Sequence, residues 1–517
     1  MPENIKKYLA WLIILSTVVR AFIAGFIELG NDEVYYWTYA LYPDWSHFDH
    51  PPMVGFIIQL FSLDLLLKDE FFIRLGSIIF GAVNTWLIYL IGAKIKDSLT
   101  GFYAALLYTT SIYCFIITGI FILPDTPQVL FWLISLYLIV CSLPDTEISS
   151  KSKQNLLFFG LVIGFGMLSK YTSVFLWVGS FLYILLYNRN WLKTKELYIS
   201  GFITIICFLP VILWNINNDF ISFTYHSERV DIFNSGIRFD YFFTEVLGQF
   251  FYNNPVNVLL ILAAVIALIK HKEFLHLSYI RLLLWMSVPL IFTFLTFSLF
   301  RRTLPHWTGP AYIGLILIAA AYLRDSLSSK RFILIPNWAK SAIFFLMIVL
   351  VLGIGEIRFG WINLAKYGDD ISVEMFGWDQ AGKQFARIYN DDIQEKQMKD
   401  NTVIIANKWF PAAHIDYYIA TPLGIDLFAY NSISEIHKYA WINKNRGGAP
   451  IGCDAYFITT SLHFKDPNEL YQNNFETIAT PDTITIYRAT RPAKEVYIYR
   501  MYNLIEPPAF DLPGDLR

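Results

Sequence analysis

The chain is short of charge. Asp, Glu, Lys and Arg make up 16% of its 517 residues, against about 25% in an ordinary soluble domain. Cysteine is scarce too, with 4 in all. Cys114, Cys141 and Cys207 lie in apolar runs and Cys453 stands alone, so the spacing gives neither a zinc site nor a disulfide framework. They read as small buried apolar side chains. A surplus of one sign of charge is also missing: the formal net charge is −2. That excludes the basic footprint of a nucleic-acid binder.

What is abundant is apolar length. The chain is 55% hydrophobic and 18% aromatic, with a mean hydropathy of +0.44. Repeated long apolar runs place it among polytopic membrane proteins. The start, MPENIKKYLAWLIILSTVVRAFIAGFIELG, is apolar to about residue 28 and lacks a small-x-small cleavage site. It reads as an uncleaved first span. Further spans are expected near 72–94, 100–119, 126–143, 156–169, 171–188, 197–215, 254–270, 281–299, 308–324 and 338–356. Together they predict an α-helical polytopic protein of about 11–13 spans, short re-entrant helices such as 52–66 included.

Orientation follows from Lys and Arg in short loops. With Lys6 and Lys7 in the cytoplasm, the alternate loops hold Lys94 and Lys96, Lys151 and Lys153, Arg189 with Lys193 and Lys195, Lys270 with Lys272, and Arg324 with Lys330 and Arg331. All would face inward. The outer loops are then 29–71, 119–126, 216–253 and 300–307, in a membrane module of residues 1–356. Residues 357–517 would form a soluble periplasmic α/β domain, with a helix near 379–399 and strands near 402–406, 454–461 and 483–490. The tail shows no Gly-rich phosphate loop and no nucleophile motif, so its expected role is to cover or shape a site built elsewhere.

The ionisable residues gather in the outer loops. NDEVYYWTYALYPDWSHFDHPPMVG (31–55) carries Asp32, Glu33, Asp44, Asp49, His47 and His50. ILPDTP brings Asp125, the turn LSKY brings Lys170, and FRRTLPHW brings Arg301, Arg302 and His306. Such groups are expensive at a membrane surface and tend to mark sites. A carboxylate can take a proton from a hydroxyl, and a group of cations can hold a departing phosphate. Both halves on one side of a membrane suggest transfer from a lipid phosphate to an acceptor.

At these residues the sequence resembles the GT-C glycosyltransferases. The match is to the bacterial branch related to protein O-mannosyltransferases and to the lipid A aminoarabinose transferases. An Asp-Glu pair after the first span followed by F-D-H-P-P (48–52) looks like the family's first outer loop, although the aminoarabinose transferases have F-E-K-P-P, with Lys where His50 stands. LPDTP resembles the second acidic position and LSKY the lysine turn. WNINNDFISFTYH (214–226) and RRTLPHWTGPAYIG (301–314) look like motifs of bacterial members. The resemblance covers about residues 5–325. It implies transfer of a sugar from a polyprenyl phosphate, expected to be undecaprenyl phosphate, to a lipid, glycan or protein acceptor, with inversion and no covalent intermediate.

Under that reading Asp32 is the expected general base, with Glu33 and Asp125 as further catalytic acids. The rival roles are a solvated loop acid, a first-turn helix acid and a helix N-cap. His50, Lys170, Arg301, Arg302 and His306 would hold the donor phosphate. Against this, a lone membrane lysine ordinarily snorkels. Tyr35, Tyr36, Trp37, His47 and Asp49 would contact substrate, although an interfacial aromatic belt explains the rings equally. No metal is firmly implied. A divalent ion at Asp32 and Glu33, or at Asp44, His47, Asp49 and His50, stays open. The rivals are a ligase or polymerase using lipid diphosphates, a transporter or flippase, and a membrane scaffold. A transporter predicts midplane charges and internal repeats, and neither is seen.

Overall fold

The computed structural model describes residues 2–145, 147–229, 236–328, 334–362 and 370–508. Lys330 and Arg331, expected in a basic inner loop, lie outside the described residues. The chain divides into two compact units. One holds residues 1–24, 50–214 and 222–350, and the other 25–49, 215–221 and 351–517.

The first unit is helical. Each of the eleven apolar stretches falls on a helix or a helix pair. Among the described residues six helices are long and apolar enough to cross a membrane, including Leu75–Ile95, Lys195–Asn217 and Leu277–Ser298. Asp125–Val140 and Tyr171–Tyr187 are shorter apolar helices, as is Met53–Ser62 within the stretch 52–66. Helix starts follow local chemistry. The Asp97 side chain accepts the Thr100 N–H ahead of Ser98–Thr110, Ser149 does the same for Ser152, and Asn254 caps Pro255–Ile269.

The expected span 100–119 is broken. Its α-helix stops at Thr110 and a π-helical turn, Tyr113–Ile117, follows. The Thr109 and Thr110 hydroxyls hydrogen-bond back to the carbonyls of Ala105 and Leu107, a local competition that loosens helices. The loop expected over 216–253 contains two helices, Ile221–Arg229 and Phe239–Tyr252. The second meets Pro255–Ile269 at a bend of 99°.

The second unit is α/β. Strands β1 (Val403–Ala406), β2 (Leu427–Ala429), β3 (Ala455–Thr460), β4 (Phe475–Ile478), β5 (Asp482–Arg488) and β6 (Arg491–Leu504) form one sheet in the order β2-β1-β3-β6-β4. β5 shares the remaining edge of β6. β1 runs parallel to β2 and β3, with Ile404 opposite Leu427 and Tyr456, and β6 is antiparallel to β3. The parallel strands are buried throughout, as their unbroken apolar runs require. The helix expected near 379–399 is Trp378–Gln394.

The first outer loop is part of this unit. Glu28 accepts the N–H groups of Trp378 at 2.7 Å and Gly377 at 3.2 Å, and the Leu29 N–H donates to the Tyr418 hydroxyl at 2.8 Å. Asn31 bonds to Glu374 and His414.

Candidate functional site

In the first unit the site grows from two chain turns. Pro124 precedes the helix Asp125–Val140 and makes no side-chain cap. The Asp125 carboxylate does not cap either. It accepts from Lys170 Nζ at 2.6 Å and from the Tyr113 hydroxyl at 2.9 Å. Lys170 ends the helix Ser150–Ser169 in extended backbone, and a 3-10 turn, Tyr171–Val174, follows. Gln128, one turn along from Asp125, donates to the hydroxyls of Thr172 and Ser173, which docks the S-K-Y-T-S turn against that helix. Both members of the ion pair are buried, with side-chain exposures of 8% for Lys170 and 3% for Asp125.

Tyr113 comes from the π-helical turn. Its ring lies so close to Gly309 that a Cβ there would meet ring atoms at 2.4 Å. This explains the glycine of the W-T-G-P stretch. His306, half-buried in the 3-10 turn Pro305–Thr308, is within electrostatic reach of Asp125. Arg301 is half-buried and Arg302 exposed. Thr303, directly after them, donates to the buried Glu245 at 2.7 Å and anchors the segment. His50 is half-buried with its ring 5.7 Å from that of His226. His226 lies edge-on to Tyr171, the neighbour of Lys170, at 5.5 Å.

The second unit holds the other expected residues. The helix Asn31–Leu41 opens with a capping arrangement in which Glu33 accepts the Gly30 N–H at 2.8 Å. Glu33 is buried in that role and Asp32 is exposed on the first turn. Tyr35, Tyr36 and Trp37 are buried rather than laid open, with Trp37 edge-on to Tyr417 at 5.2 Å. Tyr35 and Tyr39, one helical turn apart, both donate to Asp49, Tyr35 at 3.1 Å. Burial, then the Asp49 charge, pushes both phenols well above their usual range, so they remain donors. His47 is buried, with Nδ1 turned to Lys438. Among the described residues no group of three or more His, Cys, Asp or Glu is arranged to hold a metal ion.

Reading the sequence alone misses Tyr113, Tyr39, His226 and Lys438. Tyr39 carried a signal, since it shares a helix face with Tyr35 at i,i+4. His226 closes the W-N-I-N-N-D-F-I-S-F-T-Y-H stretch, whereas Tyr113 and Lys438 carried no signal beyond their residue type.

Residues 49–214 match the family described as dolichyl-phosphate-mannose-protein mannosyltransferase. The lipid A galacturonosyltransferase RgtD of Rhizobium johnstonii is 20% identical over 404 residues, 76% of this chain and 80% of that one. ArnT from Cupriavidus metallidurans has the same fold. Its apo structure superposes with a TM-score of 0.60 at 13% identity, and its structure bound to undecaprenyl phosphate with 0.61 at 14%. Each comparison covers 95% of this chain and 98% of the other. The chain is a membrane glycosyltransferase of the GT-C type. The family match of this glycosyltransferase contains Asp49, His50, Asp125 and Lys170, but begins after Asp32 and ends before Arg301.

Proposed function

We propose that this glycosyltransferase moves a single sugar from a polyprenyl phosphate, undecaprenyl phosphate in a bacterium, to an acceptor on the outer face of the inner membrane. Lipid A is the favoured acceptor class, ahead of other glycans and proteins. The observation that carries the reading is the buried Lys170, paired with Asp125, which Tyr113 also holds, at a turn between apolar helices. An ammonium has three N–H donors. One goes to Asp125, which leaves two for phosphate oxygens. His50, His306, Arg301 and Arg302 are the further groups assigned to that phosphate. In support, one relative is a lipid A glycosyltransferase and one neighbour is described with undecaprenyl phosphate bound. The N-terminus is assigned to the cytoplasm and residues 357–517 to the periplasm, from the distribution of Lys and Arg.

Asp32 is assigned as the general base. The acceptor oxygen forms a bond to the anomeric carbon on the face opposite the phosphate. The carbon–oxygen bond to phosphate breaks, the electron pair leaves with the phosphate, and the acceptor proton passes to Asp32. A carboxylate is a weak base for an alcohol, but it suffices when the proton leaves late, after the oxygen has given electron density to the sugar. The inverted product follows from attack opposite the leaving group.

The test is transfer by purified protein in lipid, with labelled undecaprenyl-phosphate sugars and a glycolipid extract, beside Asp32→Asn. Label should reach an acceptor with the wild-type protein only. Normal turnover by Asp32→Asn removes that residue as base. Transfer only from diphosphate-linked donors replaces the reading with a ligase or polymerase.

A further inference from the structure

The second unit devotes one segment, His437–Arg446, to gripping the first outer loop. Lys438 is its centre. It is 3% exposed and comes just before the helix Tyr439–Arg446. Its Nζ reaches the Tyr42 carbonyl at 2.5 Å and His47 Nδ1 at 2.5 Å, and lies 5.0 Å above the Tyr39 ring. The His47 ring also packs on Tyr39, with centroids 3.7 Å apart. Tyr39 in turn donates to Asp49. Next to Lys438, His437 has a backbone φ of +50° that is rare outside glycine. That conformation sets its ring between Phe48 at 4.5 Å and Trp409 at 5.4 Å, stacked on both. At the far end of the segment, Arg446 donates to the Tyr42 hydroxyl at 2.9 Å.

A methionine or leucine would fill such a buried place without the desolvation that an amine suffers. Burial drives the Lys438 amine down to about 7, against the upward pull of Asp44 and Asp49. The groups that face it are Asp44, Asp49, His47, Tyr39 and the Tyr42 carbonyl. What the lysine contributes there is reach and several donors for two acceptors on the loop.

We propose that Lys438 is a positioning residue for sugar transfer, holding His47 and the Tyr42 carbonyl so that Tyr39 and Asp49 are fixed where Asp49 meets substrate. This rests on the proposed sugar transfer and on the sequence expectation that Asp49 contacts substrate. The loop contacts stand without it. The C-terminal domain then supplies part of the working geometry, not only a cover.

The experiment uses the full chain in lipid with Lys438→Met, Lys438→Arg and His47→Phe. Hydrogen exchange is followed over residues 42–49 and, as a fold control, over β1. Transfer is followed as separate kcat and KM. The expected result is at least tenfold faster exchange in 42–49 for Lys438→Met with β1 unchanged. The same variant should show at least a tenfold fall in kcat with donor KM within about twofold, and partial rescue by Lys438→Arg. His47→Phe should share the defect, and combining it with Lys438→Met should add little. Unchanged exchange in 42–49, or losses that simply add, overturns the positioning role. If Lys438→Met fails to fold, His47→Phe carries the same test. Faster exchange with normal kcat also overturns the role in transfer. Asp49→Asn then says why: normal turnover by that variant places the failure in the Asp49 assignment instead.

Discussion

Replacing Asp125 by Asn keeps the shape of the side chain and removes its charge. Lys170 is then a buried ammonium whose counterion has gone. Breaking one half of a buried ion pair costs about 3–5 kcal/mol, because the remaining charge is left uncompensated. The Asp125 bond to Tyr113 adds to the coupling, since a hydrogen bond to a charged group contributes about 1.5–3 kcal/mol. Lys170→Met should destabilise by a similar amount, by leaving the carboxylate alone. The double variant loses both charges together. Its destabilisation should fall short of the sum of the single losses by about 2–3 kcal/mol, the upper range for residues in direct contact. The assay is equilibrium unfolding in mixed micelles followed by tryptophan fluorescence, with all four proteins measured side by side. Transfer should fall in every variant. Strictly additive losses would refute the reasoning, since they would mean that the 2.6 Å contact is not an energetically coupled pair.

Two other outcomes follow from local geometry. Gly309→Ala puts a methyl 2.4 Å from Tyr113 ring atoms. It should cost about 1–3 kcal/mol and lower transfer by moving Tyr113 away from Asp125. Gly353→Ala, with nothing within 4 Å of the new carbon, should do neither in the same unfolding and transfer assays. The second outcome concerns pH. Burial brings Lys494 down to about 7 despite Glu28 and Glu374, while an unfolded lysine titrates near about 10.4. Between those values the unfolded chain holds the extra proton, so stability should rise with pH, at up to about 1.4 kcal/mol per pH unit. Lys494→Met should flatten that rise between pH 7 and 9, as read from the unfolding midpoint of the full chain.

Much of the fold could be read from the sequence because membrane spans announce themselves by apolar length. Each expected span lies on a helix or a helix pair. The break after Thr110 did not show, since a π-helical turn in S-I-Y-C-F-I-I leaves the hydropathy unchanged. In the C-terminal domain β1, β3 and β5 were visible as short β-branched or aromatic runs. β6 was not, because R-P-A-K-E at its start looks like a loop. The candidate site was partly legible. Asp125 and Lys170 stood out as charges in apolar surroundings, and the structure joins them. Tyr113 could not be told from a packing aromatic, and Lys438, within I-H-K-Y-A-W-I-N-K-N-R, resembled a solvated surface lysine. In each case the partner was chosen by tertiary approach. Local sequence carries no trace of that choice. Glu33 shows the converse: a first-turn helix acid was one of its two readings, and it caps its own helix.

The shared unit of residues 25–49 and 351–517 has a consequence for biosynthesis. Leu29 finds its partner in Tyr418, 389 residues later, and Tyr35 finds the Lys438 amide 403 residues later. At about 5–20 residues per second, a ribosome takes roughly 20–80 s to make the intervening chain. For that time the first outer loop has been translated but its binding surface has not. Any quality control that acts during translation meets this loop bare, with Tyr35, Tyr36 and Trp37 uncovered. A chain stopped before Arg446 would keep its early membrane helices and never close the loop. Truncations at the far end of the gene should therefore register at its beginning, as protease sensitivity within residues 31–49.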